Sequence, residues 1–144
     1  MPRTPRLSAQ PVHGRQRVLL VDDHALMRES IASWIDRSAD LEVCGSADSA
    51  VSALLLVTEL HPDILVTDLS MPDGSGFTLI KRARDLQPDL PILVLSMHNR
   101  ALYEAKALQA GAVGYCMKGD GAEVLVASIR QILSRPRPYP RPHP

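Results

Sequence analysis

Aromatic residues are scarce in this 144-residue chain, at 3% against 45% hydrophobic residues overall. A chain of this length supports one domain with a sizeable core, so that core is built from aliphatic side chains. No apolar stretch has the length to span a membrane. The N-terminal stretch carries arginines but lacks the continuous apolar segment of a secretory signal. Together these absences point to a cytoplasmic protein. Cysteine is limited to Cys44 and Cys116, each inside an apparent strand, and a cytosolic chain keeps such thiols reduced. No internal repeat is present.

Net charge is also absent, because 16 basic residues balance 16 acidic ones. The distribution is uneven, however. Arg3, Arg6, Arg15 and Arg17 precede the first acidic residue, and Arg135, Arg137 and Arg141 lie in the last ten residues. Without those seven, nine basic residues face sixteen acidic ones, and the body sits near −7. Such a body excludes nucleic-acid binding by the folded part, because phosphate contacts need a basic footprint.

What the chain does have is four short apolar runs that stop abruptly at residues able to handle phosphate or metal. VLLV (18–21) stops at Asp22-Asp23, ILVT (64–67) at Asp68, ILVL (92–95) at Ser96, and AVGYCM (112–117) at Lys118. Runs this short, rich in Val, Ile and Leu and separated by helical patterns, read as parallel strands buried on both faces. A further short strand is expected at 41–45, with helices at 25–37, 47–60, from the 71–76 turn to 86, 100–110 and 121–133. Residues 1–16, with Pro2, Pro5 and Pro11, read as a disordered arm. Residues 135–144, with proline at every second position from 136, read as an extended linker or tail. The domain proper is then 17–134.

Strict β/α alternation implies a parallel sheet with helices on both faces. Asp22, Asp23 and Asp68 meet only if strands one and three are neighbours, which leaves strand two at an edge. The order 2-1-3-4-5 satisfies this, a flavodoxin-like doubly wound five-stranded sheet whose ligands bind at the strands' carboxyl ends. Cys44 and Cys116 then lie on opposite edges, about four strand spacings or roughly 19 Å apart, beyond disulfide reach. They read as small buried apolar residues.

Three carboxylates brought together repel one another, and a divalent cation relieves that repulsion. All-oxygen ligands select a hard ion, Mg²⁺ or Mn²⁺. Asp68, alone at the end of the central strand, is the candidate nucleophile. Lys118 supplies a mobile ammonium and Ser96 a hydroxyl for phosphoryl oxygens. Read singly, each has a plainer alternative: Asp22-Asp23 as an N-cap pair, Ser96 as an ordinary cap, Lys118 as a solvated charge, Tyr115 as a core aromatic. His24 reads as a helix-start residue pointing to solvent rather than as a metal ligand. The apolar run Leu54, Leu55, Leu56 and Val57, with Val126 and Leu133, is wider than one helix face needs; it is either core or a partner surface.

The ordered set Asp22-Asp23, Asp68 with Met71-Pro72-Asp73-Gly74, Ser96, and Tyr115-x-x-Lys118 resembles bacterial two-component response-regulator receiver domains. VDDH, DLSMPDGSG and AGAVGYCMK resemble the NarL/FixJ-like subfamily. The resemblance implies that Asp68 accepts a phosphoryl group from a sensor histidine kinase. It implies Mg²⁺ ligation by Asp23, Asp68 and the Ser70 backbone carbonyl, with Asp22 helping through water. It implies that Ser96 and Tyr115 form the switch pair. Catalysis would be confined to the chain's own phosphorylation and dephosphorylation, with no external substrate turned over. A phosphorylation-dependent homodimer and the input half of a transcription regulator are expected, DNA being reached only through a C-terminal domain that these residues do not contain. His98, two residues past Ser96, is placed at the site entrance, where it would tune access of water. Lys118 is followed by Gly119 where many receivers carry a cis-proline, which predicts a looser loop. Two alternatives belong to other classes. A phosphorylation-independent receiver-like binding module would keep the fold without the chemistry. A haloacid-dehalogenase-type hydrolase would need a second Asp where Ser70 stands.

Overall fold

The computed structural model describes residues 14–71 and 76–136. The expected arm (but for 14–16), the expected tail (but for 135 and 136) and positions 72–75 of the breaker-rich turn lie outside the described residues. Five strands alternate with five helices: β1 Gln16–Val21, α1 Ala25–Asp36, β2 Leu41–Ala47, α2 Ala50–Leu60, β3 Ile64–Thr67, α3 Gly76–Leu86, β4 Ile92–Ser96, α4 Arg100–Ala110, β5 Gly114–Met117 and α5 Ala122–Leu133. All strands are parallel and the order is β2-β1-β3-β4-β5. This is the order required by convergence of the carboxylates.

Side chains along a strand alternate between the two sheet faces, and the core divides accordingly. Val18, Leu20, Ile64, Val66, Leu93 and Leu95 face α1 and α5, where Ile31, Ile35, Leu125 and Ile129 meet them. Leu19, Val21, Leu65, Ile92 and Val94 face α2, α3 and α4, against Val57, Leu79, Ile80 and Ala107. The central strands β3 and β4 are buried throughout, which is why they appear as unbroken apolar runs instead of alternating ones.

The elements depart from expectation at three places. β2 continues past Gly45, because Ser46 and Ala47 still pair with Leu20 and Val21 beyond a bulge at Cys44. α2 consequently starts at Ala50, with the Ser49 hydroxyl accepting from the Ser52 backbone N–H. After β5 the chain forms a 3₁₀ turn, Lys118–Asp120. The Asp120 carboxylate accepts from the Met117 N–H at 3.2 Å, so this loop is tied down instead of loose. No cis peptide bond occurs among the described residues.

Cys44 and Cys116 lie on the two edge strands, both as free thiols. Cys116 is buried but Cys44 only half-buried, a correction to the reading of both as core. Burial pushes the Cys44 thiol up, against a smaller opposing pull from Arg17. In α2, Ala53 and Val57 face inward while Val51 and Leu55 are exposed. Val126 is buried and Leu133 only partly so, so the apolar face of α5 is mostly core. Among the described residues no helix is long and apolar enough to cross a membrane.

Candidate functional site

Each apolar strand hands its functional residue to the same edge of the sheet. At the end of β1 the Asp22 N–H still pairs with the Ala47 carbonyl, 3.1 Å away. At the end of β3 the Asp68 N–H reaches the Val21 carbonyl at 3.0 Å. These ladder bonds fix where the two acids leave the sheet. Ser96 ends β4, and Lys118 follows β5 directly.

Lys118 unites the set. Its Nζ lies 2.8 Å from Asp22 Oδ2 and 3.1 Å from Asp68 Oδ2. The side chains are only 4%, 1% and 2% exposed for Lys118, Asp22 and Asp68. The expected mobile ammonium is therefore a buried clamp between two carboxylates, because removing all three charges from water is tolerable only when they pair. Burial pulls the lysine pKa down, but the Asp22 and Asp68 carboxylates outweigh it and hold it above its ordinary value.

The other carboxylate oxygens have distinct surroundings. Asp68 Oδ1 accepts from the Ser70 N–H at 3.1 Å. Asp22 Oδ1 accepts from the His24 N–H at 2.9 Å. Asp22 Oδ2 and Asp23 Oδ1 are buried without a hydrogen-bond partner, although the first meets the Lys118 ammonium. Ligand atoms of Asp22, Asp23, His24 and Asp68 all lie within 4.8 Å of one another. Buried carboxylate oxygens lacking donors, grouped this closely, fit a hard divalent cation such as Mg²⁺. Asp23 and Asp68 carry oxygens that could hold it, while Asp22 is already tied to Lys118.

A second cluster adjoins the first. Ser96 is fully buried, and its Oγ accepts from the His98 N–H at 3.0 Å. The Tyr115 hydroxyl donates to the His98 carbonyl at 2.8 Å. Tyr115 is buried in the α2–α3–α4 core. Burial lifts its phenol pKa, against a smaller lowering by the Ser96 hydroxyl. The His98 ring is hydrogen-bonded through Nε2 to the Ser70 hydroxyl and rests on Tyr103, ring centroids 4.6 Å apart. His98 thus ties the loop after β3 to the loop after β4 and is half-buried, not a free loop side chain.

Three further side chains border the site. The Arg28 guanidinium donates to the Asp22 backbone carbonyl at 2.7 Å, bracing the loop that carries the acid pair. The Arg100 guanidinium lies 5.8 Å from the Tyr115 ring centroid, in the range of a cation–π contact. His24 is 67% exposed, as expected, yet its Nδ1 stands 3.2 Å from Asp23 Oδ1 and 3.4 Å from Asp22 Oδ1. A basic residue one helical turn after Asp-Asp is the only sequence signal for the first; the Arg100 contact depends on tertiary packing, and that of His24 on its adjacency to the acid pair.

Residues 18–130 match the response regulator receiver domain family. The chain is 36% identical to the response regulator GacA of Pseudomonas aeruginosa, over 84% of this chain and 56% of that protein. It is 34% identical to the oxygen regulatory protein NreC of Staphylococcus epidermidis, over 81% of this chain and 54% of that protein. The chain therefore spans about half the length of the curated relatives it matches. Among solved structures, a LuxR-family two-component response regulator from Aurantimonas sp. SI85-9A1 superposes with a TM-score of 0.81 at 35% identity, covering 85% of this chain and 88% of that one. The signal receiver domain of the putative response regulator NarL from Mycobacterium tuberculosis gives 0.78 at 29% identity, covering 84% and 98%.

Proposed function

The chain belongs to the response regulator receiver domain family, and from that premise we propose that Asp68 is the phosphoacceptor of a phosphorylation-dependent signalling switch. The family places it among signalling domains of two-component systems. The observation that carries the specific reading is the Lys118 ammonium held between Asp22 and Asp68 at the sheet's carboxyl edge.

An Asp68 carboxylate oxygen bonds to phosphorus as the P–N bond to a kinase phosphohistidine breaks. The bonding pair leaves with the imidazole nitrogen. Phosphoryl transfer of this kind needs in-line positioning and cations around the equatorial oxygens more than covalent help. Lys118 supplies one cation, already desolvated and aimed. Asp23, Asp68 and the Ser70 carbonyl would hold Mg²⁺, with Asp22 acting through water, and the ion would supply the other positive charge beside the carboxylates and the incoming oxygens. Ser96 accepts from the His98 N–H, which leaves its hydroxyl proton available to a phosphoryl oxygen. When Ser96 turns to that oxygen, its side of the Tyr115 contact loosens and the ring shifts, giving two states whose balance phosphorylation moves. His98, bonded to Ser70 and packed at a tilt against Tyr103, tunes access of the attacking water. Hydrolysis then returns the Asp68 carboxylate and releases phosphate.

In this reading residues 17–134 form the receiver unit, between an arm at 1–16 and a linker or tail at 135–144. The chain works in the cytoplasm with a sensor histidine kinase, homodimerises when phosphorylated, and governs transcription through a DNA-binding portion beyond these residues, as the lengths of its relatives suggest. No observation favours a phosphorylation-independent binding module, since every residue of the site is retained. Incubation with Mg²⁺ and a small phosphodonor, followed by intact mass, tests the proposal. One adduct on wild type and none on Asp68→Ala supports it. Absence of an adduct refutes it, and rapid multiple turnover of the donor points to a hydrolase.

A further inference from the structure

We propose that His24 is an additional metal ligand, through Nδ1, and that it turns the acidic pocket toward cations that favour imidazole. The inference rests on the reading of that pocket as a divalent-cation site and adds one nitrogen to its oxygen ligands.

The geometry is that of neighbouring ligands on one ion. Two ligand atoms at right angles in an octahedron, each about 2.1 Å from the metal, stand about 3.0 Å apart, and opposite ones about 4.2 Å. His24 Nδ1 lies 3.2 Å from Asp23 Oδ1 and 3.4 Å from Asp22 Oδ1, and the whole set with Asp68 lies within 4.8 Å. Rotations of His24, Asp23 and Asp68 would close those three donors on a single centre. Asp23 Oδ1 is buried with no hydrogen-bond donor, whereas Asp22 Oδ2 is already paired with the Lys118 ammonium at 2.8 Å. Asp22 is therefore poorly placed to bind the ion directly, and the imidazole is the next donor at hand.

The backbone sets the ring over the site. The His24 N–H bonds Asp22 Oδ1, and Arg28 braces the Asp22 carbonyl from the first turn of α1. His24 stands at the N-cap position of α1 yet makes no side-chain cap bond; its Nδ1 meets the Asp22 and Asp23 carboxylates instead. A carboxylate and carbonyl set prefers Mg²⁺ by availability, whereas imidazole raises affinity for Mn²⁺ and, along the series, for later divalent ions. The consequence is a pocket that separates Mn²⁺ from Mg²⁺ more strongly than oxygen ligands alone would.

The test loads the full chain with Mn²⁺ and records electron spin-echo envelope modulation, alongside calorimetric titration of Mn²⁺ and Mg²⁺ separately. Wild type is expected to show ¹⁴N modulation from a coordinated imidazole, absent in His24→Ala. That variant is expected to lose about tenfold in Mn²⁺ affinity, the scale on which metal-site perturbations register, and less than twofold for Mg²⁺. Asp23→Asn is the control for the pocket itself. If Asp23→Asn abolishes Mn²⁺ binding but wild type lacks the nitrogen signal and His24→Ala binds unchanged, the inference falls while the pocket stands. If wild type binds no Mn²⁺, or Asp23→Asn binds as well as wild type, both fall.

Discussion

Replacing Lys118 by methionine keeps most of the apolar stem and removes the ammonium. In the native pocket Nζ sits 2.8 Å from Asp22 Oδ2 and 3.1 Å from Asp68 Oδ2, with all three side chains at most 4% exposed. The variant leaves two buried carboxylates facing each other with nothing between them. Removing one partner from a buried ion pair costs about 3–5 kcal/mol, chiefly because the remaining charge is stranded. Against a stability of about 5–15 kcal/mol for a domain, this is a large fraction. It corresponds to a fall in Tm of about 10–20 °C for a chain of this size. Magnesium should shrink the loss, because it restores positive charge and stabilises the folded state by mass action, and its relative benefit is greater in the variant. Urea unfolding of wild type and Lys118→Met, with chelator and with saturating Mg²⁺, measures this. A loss under about 1 kcal/mol in chelator, the scale of an exposed pair, would refute the buried-clamp reasoning. So would a loss that Mg²⁺ leaves unchanged.

Tyr115→Phe removes the hydroxyl that donates to the His98 carbonyl at 2.8 Å; it should cost about 1 kcal/mol in denaturant unfolding and leave Asp68 phosphorylation by a small donor intact. Gly76→Ala would set a Cβ 2.3 Å from the Leu69 carbonyl oxygen, so the backbone must yield; a loss of about 1–3 kcal/mol is expected by thermal unfolding. The folded-state pKa values of Lys118 and Tyr115 are both raised. Their contributions are therefore complete below the unfolded values of about 10 and fade as pH climbs through the higher folded ones, which a circular-dichroism titration on the alkaline side will show as declining Tm. Asp40 behaves oppositely. Its hydrogen bonds to Arg130 lower its pKa, so its smaller contribution holds above about pH 3.9 and disappears as pH falls through the folded value, a loss that Asp40→Asn should abolish.

The strand ends and their convergence were legible because a buried parallel strand is apolar to its last residue and the chemistry starts at the next. ILVT followed by Asp68 and ILVL followed by Ser96 leave no ambiguity about where the sheet stops. Requiring Asp22 and Asp68 to meet then fixed the strand order. Boundaries were harder where local signals overlap. Ser46 and Ala47 suit a helix start as well as a strand end, and only pairing with β1 decides between them. The 3₁₀ turn after β5 depends on one Asp120 carboxylate reaching back three residues. Side-chain partnerships were largely hidden. Its place after the AVGYCM run put Lys118 near the acids but not between Asp22 and Asp68, while Arg28 and Tyr103 reach the site through contacts with the nearby Asp22 and His98, and Arg100 through Tyr115 on another element.

The central claim is most directly tested by a crystal structure grown with Mg²⁺ and beryllium fluoride, a phosphoryl mimic. The account predicts beryllium bonded to an Asp68 carboxylate oxygen, a cation on Asp23, Asp68 and the Ser70 carbonyl, and fluorides contacted by Lys118 Nζ and the Ser96 hydroxyl. Beryllium fluoride bound elsewhere, or a pocket in which Lys118 stays locked to Asp22 and Asp68 with no mimic attached, would contradict it.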